Sequence, residues 1–306
     1  MDTIKELKFL PIEKKLQLIH QLEKMDLSDC THEFLLDFLN PIFKGYTVNA
    51  LSFETNLVLY RGIKYNDRPK VYKELIYPPK HRAKTNRASY EGEQMFYCST
   101  LKKAPFYELS LVKGDKIVLS TWINQKPLMC NNVGYTESNF ITLGASREIP
   151  VAPIELKEIN IKDNRIIAEF LGKTFCKKIT DDDKLYYKLT NAIAKLHIKD
   201  NFHGLLYPTI QYSANSDNIA LTKETIDKNF LQLKQVEFAE ILDIKENRYC
   251  YKILDFAEEI SGDLINWKNL DKTWTVFDDS EEIYFTDEFG SFEGYNSDGD
   301  MVHPDQ

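Results

Sequence analysis

No apolar run in the 306-residue chain approaches the length of a membrane span, which takes about 20 residues as a helix. The opening residues Met1-Asp2-Thr3-Ile4-Lys5-Glu6 lack the layout of a signal peptide. Membrane attachment and secretion are therefore not expected, and the cytoplasm is the expected location. Cysteine is sparse and scattered: Cys30, Cys98, Cys130, Cys176 and Cys250 form no C-x-x-C pair. This pattern argues for free thiols in a reducing compartment and against a structural zinc site. The six histidines form no H-E-x-x-H arrangement, and Asp298-Gly299-Asp300 lacks the ligand spacing of an EF-hand. No metal is expected. Internal repeats are also absent.

Basic residues are missing from one end. From Asp278 onward there are ten Asp or Glu and no Lys or Arg, whereas the whole chain has 47 acidic and 39 basic residues. The remainder is thus close to neutral. Between Lys64 and Arg87, eight Lys or Arg face only Asp67 and Glu74. Such a segment is either a solvated loop or a place to hold a phosphate-bearing ligand or a nucleic acid. A nucleic-acid-binding module would need interleaved aromatics and a broad basic surface. Against that stands a net charge of −8, and nucleic acid is not expected as a partner.

What is present is the composition of a globular protein, 43% apolar and 28% charged. Residues 1–50 read as a helical segment. Ile12, Leu16, Ile19 and Leu22 keep helical spacing after Pro11, and a second helix from about Glu33 to Phe38 stops before Pro41. Residues 51–228 hold the central domain and 229–306 a β-rich extension with the acidic tail. In that extension, alternation around Leu231–Phe238 and Tyr249–Ile253 predicts two antiparallel strands joined near Glu246-Asn247, with one more strand between Tyr284 and Phe292. Alternation in Ile117, Leu119, Thr121 and Ile123 predicts a half-buried strand. Leu128 to Pro153 reads as a loop-rich lid. Thr180-Asp181-Asp182-Asp183 has the form of a capping box ahead of a helix carrying Leu185, Leu189, Ile193 and Leu196.

The central stretch is Asn86 to Glu108, read as loop, strand, turn and helix. Met95–Cys98 supply the strand, Ser99 or Thr100 the helix cap, and Pro105 is tolerated in the first turn. Glu108 then shares a helix face with Ala104 and Leu111, so if buried it must be paired or functional. Leu57–Gly62 upstream is an apolar strand that carries Tyr60 and Arg61. Downstream, His203–Thr209 is another, ending in a hydroxyl.

Taken in order, these pieces resemble the RES-domain family, named for its arginine, glutamate and serine. The resemblance rests on Tyr60-Arg61, Arg87 with Gly92 five residues on, Phe96-Tyr97, Ala104 with Glu108, Gly204 through Thr209, and Asn218–Leu221 as a closing strand. It covers about residues 55 to 225. Thr209 stands where the family has serine, and Ser89 where it usually has asparagine. The resemblance implies an α+β fold with an ADP-ribosyltransferase-like mixed core. It also implies NAD as substrate, degraded by hydrolysis or phosphorolysis. Many members are toxins held in check by an inhibitory partner protein.

The residue chemistry points the same way. Arg61 with Arg87 would hold a pyrophosphate through forked hydrogen bonds. Arg82 is the alternative second clamp, and Gly92 at the matching distance favours Arg87. Tyr97 offers a face for nicotinamide, with Tyr60 as a further substrate contact. Glu108 would stabilise positive charge developing at the anomeric carbon, and the Thr209 hydroxyl would position a phosphate or ribose oxygen. ADP-ribosyl transfer to a protein or nucleic acid would use the same transition state. The alternative without chemistry is an interaction domain on the same fold.

Overall fold

Two amphipathic helices open the described chain. Helix α1 (Ile12–Glu23) begins directly after Pro11 and buries Ile19 and Leu22. Helix α2 (His32–Phe43) is capped by the Thr31 hydroxyl and runs through Pro41 instead of stopping before it. Pro41 lies in the last turn, where a missing N–H breaks only one helical bond, and fully buried Leu39 and Ile42 on either side hold that turn in place. The structure is a computed structural model. It describes residues 9–47, 50–150, 158–199, 201–245, 248–270, 273–277, 283–286, 292–295 and 301–302. The opening residues, the Glu246-Asn247 turn, Asp298-Gly299-Asp300 and most of the acidic tail lie outside these.

Next come β1 (Leu51–Phe53), β2 (Val58–Lys64), β3 (Met95–Ser99), the short α3 (Ala104–Glu108), β4 (Lys116–Asn124) and β5 (Leu128–Asn132). They are followed by α4 (Glu137–Leu143), α5 (Glu158–Phe175), α6 (Tyr187–His197), β6 (Gly204–Pro208), β7 (Asp217–Thr222) and α7 (Lys223–Asp227). The rest is strand: β8 (Leu231–Lys245), β9 (Arg248–Ala257), β10 (Glu259–Ser261), β11 (Leu264–Asn266), β12 (Thr273–Phe277), β13 (Ile283–Thr286), β14 (Phe292–Tyr295) and β15 (Met301–Val302). The expected loop-rich lid after Leu128 therefore contains a strand and a helix. Where a single strand was expected between Tyr284 and Phe292, there are two, β13 and β14, paired antiparallel.

The fold is α+β. Thirteen strands form one sheet in the order β1-β5-β6-β7-β3-β2-β4-β8-β9-β12-β13-β14-β15. Only the β5–β6 pair is parallel. Period-2 alternation sends β3 and β6 residues to opposite faces. Met95, Leu205 and Tyr207 pack with α1, α2, α5 and α6 in one core, whereas Phe96, Cys98 and Leu206 join Trp122, Ile219 and Phe238 in another. Phe106 of α3 anchors a third against β4, β8 and β9. Strand β4 is buried on both faces for most of its length, so it carries no half-exposed side. Among the described residues no helix is long and apolar enough to cross a membrane.

Candidate active site

The sheet has a seam at its centre. Strand β3 pairs with β7 along five residues, and β2 with β4 along seven, yet β2 and β3 meet only at Tyr60↔Ser99. Beyond that pair the two strands line a cavity of about 690 Å³, with Arg61 and Gly62 on one side and Tyr97 and Cys98 on the other. Arg61 reaches into the seam. Its Nη1 donates to the Tyr97 carbonyl at 2.8 Å and its Nε to the Leu75 carbonyl at 3.0 Å. The guanidinium also lies 5.0 Å from the centre of the Phe96 ring. Burial lowers its pKa to about 10, so it stays charged at neutral pH. Nη2 has no hydrogen-bond partner among the described residues.

Gly62 lets the short helix α3 come close. A Cβ there would fall 2.8 Å from Pro105 Cβ, so only glycine admits this approach. Pro105 sits in the first turn as expected, but neither Ser99 nor Thr100 caps the helix. The Ser99 hydroxyl donates instead to Asn218 Oδ1 at 2.5 Å, and Thr100 bonds to Ser216 and Asp217 of the neighbouring segment.

Glu108, the last residue of α3, ends in the cavity. Its Oε1 accepts from the Ile210 N–H at 3.2 Å, and the nearby Gln211 N–H and Asn218 side chain favour the charged carboxylate. With Asn218 Oδ1 accepting from Ser99, its NH₂ is the part of the amide left to favour a negative charge nearby. Burial raises the Glu108 pKa. These donors and the charge of Arg87 oppose that rise without cancelling it.

The other expected site residues divide. Tyr97 and Tyr60 line the cavity, and the Tyr97 hydroxyl is fixed by Ser89 Oγ at 2.9 Å and the Ala88 N–H at 3.2 Å. Burial pushes the Tyr97 pKa up, keeping its proton in place. Arg87 also lines the cavity, but its guanidinium donates to the carbonyls of Phe175 and, at 3.1 Å, Lys177. It closes the C-terminal end of α5, where unpaired carbonyls gather. Arg82, by contrast, is exposed on the cavity wall near Lys84, and its side chain makes no hydrogen bond among the described residues. The structure thus leaves Arg82 available for an anion and Arg87 committed to the backbone.

Thr209 is not brought into the cavity. It is fully buried, and its hydroxyl donates to the Ser216 carbonyl at 3.1 Å while accepting from the Ser216 N–H at 3.2 Å. That pairing closes the 209–216 loop, in which Ser213 and Ala214 both take positive φ. Arg147 holds the loop from outside, bonding the Ala214 and Ser216 carbonyls and forking onto Asp217. Asn218, Ser99 and Gln211 are the site residues that motif reading does not select. The signal for Asn218 is a polar residue inside an otherwise apolar closing strand.

No protein-family model matches this chain, and no curated protein does. The site therefore stands on its own geometry. Among the described residues, no group of three or more His, Cys, Asp or Glu is placed to hold a metal ion. The cavity instead combines one desolvated carboxylate, held by the Ile210 N–H, with a cationic wall and tyrosine faces. Such a site can bind a phosphorylated ligand and stabilise positive charge that develops beside Glu108.

Proposed function

We propose that this chain degrades NAD by cleaving the bond between nicotinamide and ribose, on an ADP-ribosyltransferase-like core of the kind that the RES-domain resemblance implies. The observation that carries the reading is Glu108, desolvated and hydrogen-bonded by the Ile210 N–H beside the seam between β2 and β3, in one cavity with Arg61. The pyrophosphate lies against Arg82, Lys84 and the free side of Arg61, and Tyr97 supports the nicotinamide ring. A cationic nicotinamide ribose next to Glu108 favours the ionised carboxylate, which then stabilises the oxocarbenium-like transition state. Arg87 acts through position, by fixing the end of α5, and Thr209 by closing the loop whose Ile210 N–H holds Glu108.

The test is to incubate purified protein with NAD and follow free nicotinamide, with and without phosphate. Glu108→Gln is expected to lower turnover by about a hundredfold or more, the scale of losing one electrostatic stabiliser, with NAD affinity by calorimetry little changed. Arg82→Ala is expected to weaken NAD binding through a contact made in ground and transition states alike. A Glu108→Gln protein with a normal rate would remove the catalytic assignment. Labelling of a protein or nucleic acid by NAD would redirect the reading to ADP-ribosyl transfer.

A further inference from the structure

The stretch from Arg68 to Glu74 is gripped from beyond the central domain. The Arg68 guanidinium pairs with Asp255, which is 2% exposed, and donates to Asn269 Oδ1 at 2.9 Å. It also lies 5.9 Å from the centre of the Trp267 ring, whose Nε1–H donates to the Pro69 carbonyl at 2.8 Å. The β10–β11 hairpin adds backbone bonds. The Tyr72 N–H donates to the Asp263 carbonyl at 2.7 Å, and the Ile265 N–H to the Lys70 carbonyl at 3.0 Å. All of these partners fall in residues 255–269, past the end of the RES-domain resemblance.

The grip leads to the active site. Residues Tyr72–Glu74 make one 3-10 turn, closed by the Leu75 N–H on the Tyr72 carbonyl at 2.9 Å. Leu75 is 1% exposed, so the core fixes its side chain, but the direction of its carbonyl follows from the turn. That carbonyl accepts from Arg61 Nε, and the Tyr97 carbonyl accepts from Nη1. Because the guanidinium is planar, holding these two nitrogens aims the third, Nη2.

We propose that residues 255–269 are a positioning element of the active site, which sets the Leu75 carbonyl and through it the aim of the Arg61 guanidinium. Arg68, Asp255 and Trp267 do not line the cavity, and each acts on the ligand through Arg61. That the ligand is the NAD pyrophosphate rests on the reading above; the hold on Arg61 does not. A fork already fixed at two nitrogens meets a phosphate oxygen with little further loss of freedom. A fork held at one can swing away, which weakens binding in ground and transition states alike.

The experiment follows the Arg61 Nε–H by nitrogen-resolved NMR of the full chain, assigned by its loss in Arg61→Lys, beside the kinetics of nicotinamide release from NAD. Trp267→Phe keeps the ring and removes only the donor to Pro69. Arg68→Ala removes the ties to Asp255 and Asn269. Both are expected to shift the Arg61 resonance and hasten its exchange with solvent. Both are also expected to raise the KM for NAD about three- to tenfold, the scale of one hydrogen bond, with kcat little changed. Asn164→Ala is the control for lost stability alone, because it removes an amide of α5 that bonds the Thr47 backbone. It is expected to lower the melting temperature and leave the Arg61 resonance in place. An Arg61 resonance unchanged in both Trp267→Phe and Arg68→Ala would overturn the proposal, as would the same shift in Asn164→Ala. Should the wild-type chain release no nicotinamide, the resonance still decides the proposal, and only the NAD reading fails.

Discussion

Arg61 supplies from its side chain a hydrogen bond that the backbone of β2 does not make to β3, and so keeps the seam open without leaving the Tyr97 carbonyl unpaired. Glu108 sits across the same cavity with its pKa raised by burial. A carboxyl with a raised folded-state pKa binds its proton more tightly folded than unfolded. Its stabilising contribution is therefore full below the ordinary glutamate range and is lost as pH rises through the folded pKa. Wild-type stability is expected to fall over that window relative to Glu108→Gln, measured by urea unfolding from pH 4 to 8. Identical pH slopes for the two proteins would contradict the burial of Glu108. The pairing of Arg61 and Glu108 in one cavity was legible from residue types and order. The choice between Arg82 and Arg87 was not, because it depends on where the carbonyls of α5 end. Ile167, Phe170 and Leu171, all buried at helical spacing, are the signal that would have placed that helix.

At the scale of elements, the 209–216 loop is the part on which the site depends most. It closes on the Thr209 hydroxyl and presents the Ile210 N–H to Glu108. Thr209→Val keeps the branched shape but leaves the Ser216 N–H without that acceptor, at about 1–3 kcal/mol of stability. Turnover is expected to fall more than NAD affinity does, and Thr209→Ser is expected to restore both stability and rate. A valine variant as stable and as active as wild type would show that the hydroxyl does not hold the loop. Strands β2, β3 and β6 were legible as apolar runs, the last two marked by Gly92 and Gly204, β4 by its alternation, and β7 through the resemblance's closing strand. The capping role of Ser99 and Thr100 was misread for a physical reason. Both hydroxyls have partners more than about a hundred residues away, and local preference yields to tertiary hydrogen bonds. Strand β5 and α4 escaped notice because their polar residues, among them Asn131 and Asn139, are buried and hydrogen-bonded.

For the molecule as a whole, the boundary drawn at residue 228 crosses an unbroken sheet. Strand β8 pairs with β4 from Lys116↔Glu240 to Asn124↔Leu231, and Phe238 and Val236 share a core with Leu59 and Phe96. A chain ending at residue 228 would expose β4 as a long apolar edge, a template for pairing with other chains. Size-exclusion chromatography of that truncation is expected to show soluble aggregates in place of a single species. A monodisperse, folded fragment would mean that β8 is dispensable. The same topology sets an order of assembly. Asn218 lies 119 residues after Ser99, and Ile210 lies 102 after Glu108. Contacts so distant form late and make folding slow. As the chain emerges from the ribosome, Arg61, Tyr97 and Glu108 all appear long before the segments that orient them. A nascent chain would therefore carry Glu108 without the contact that orients it until the segment around Ile210 has emerged.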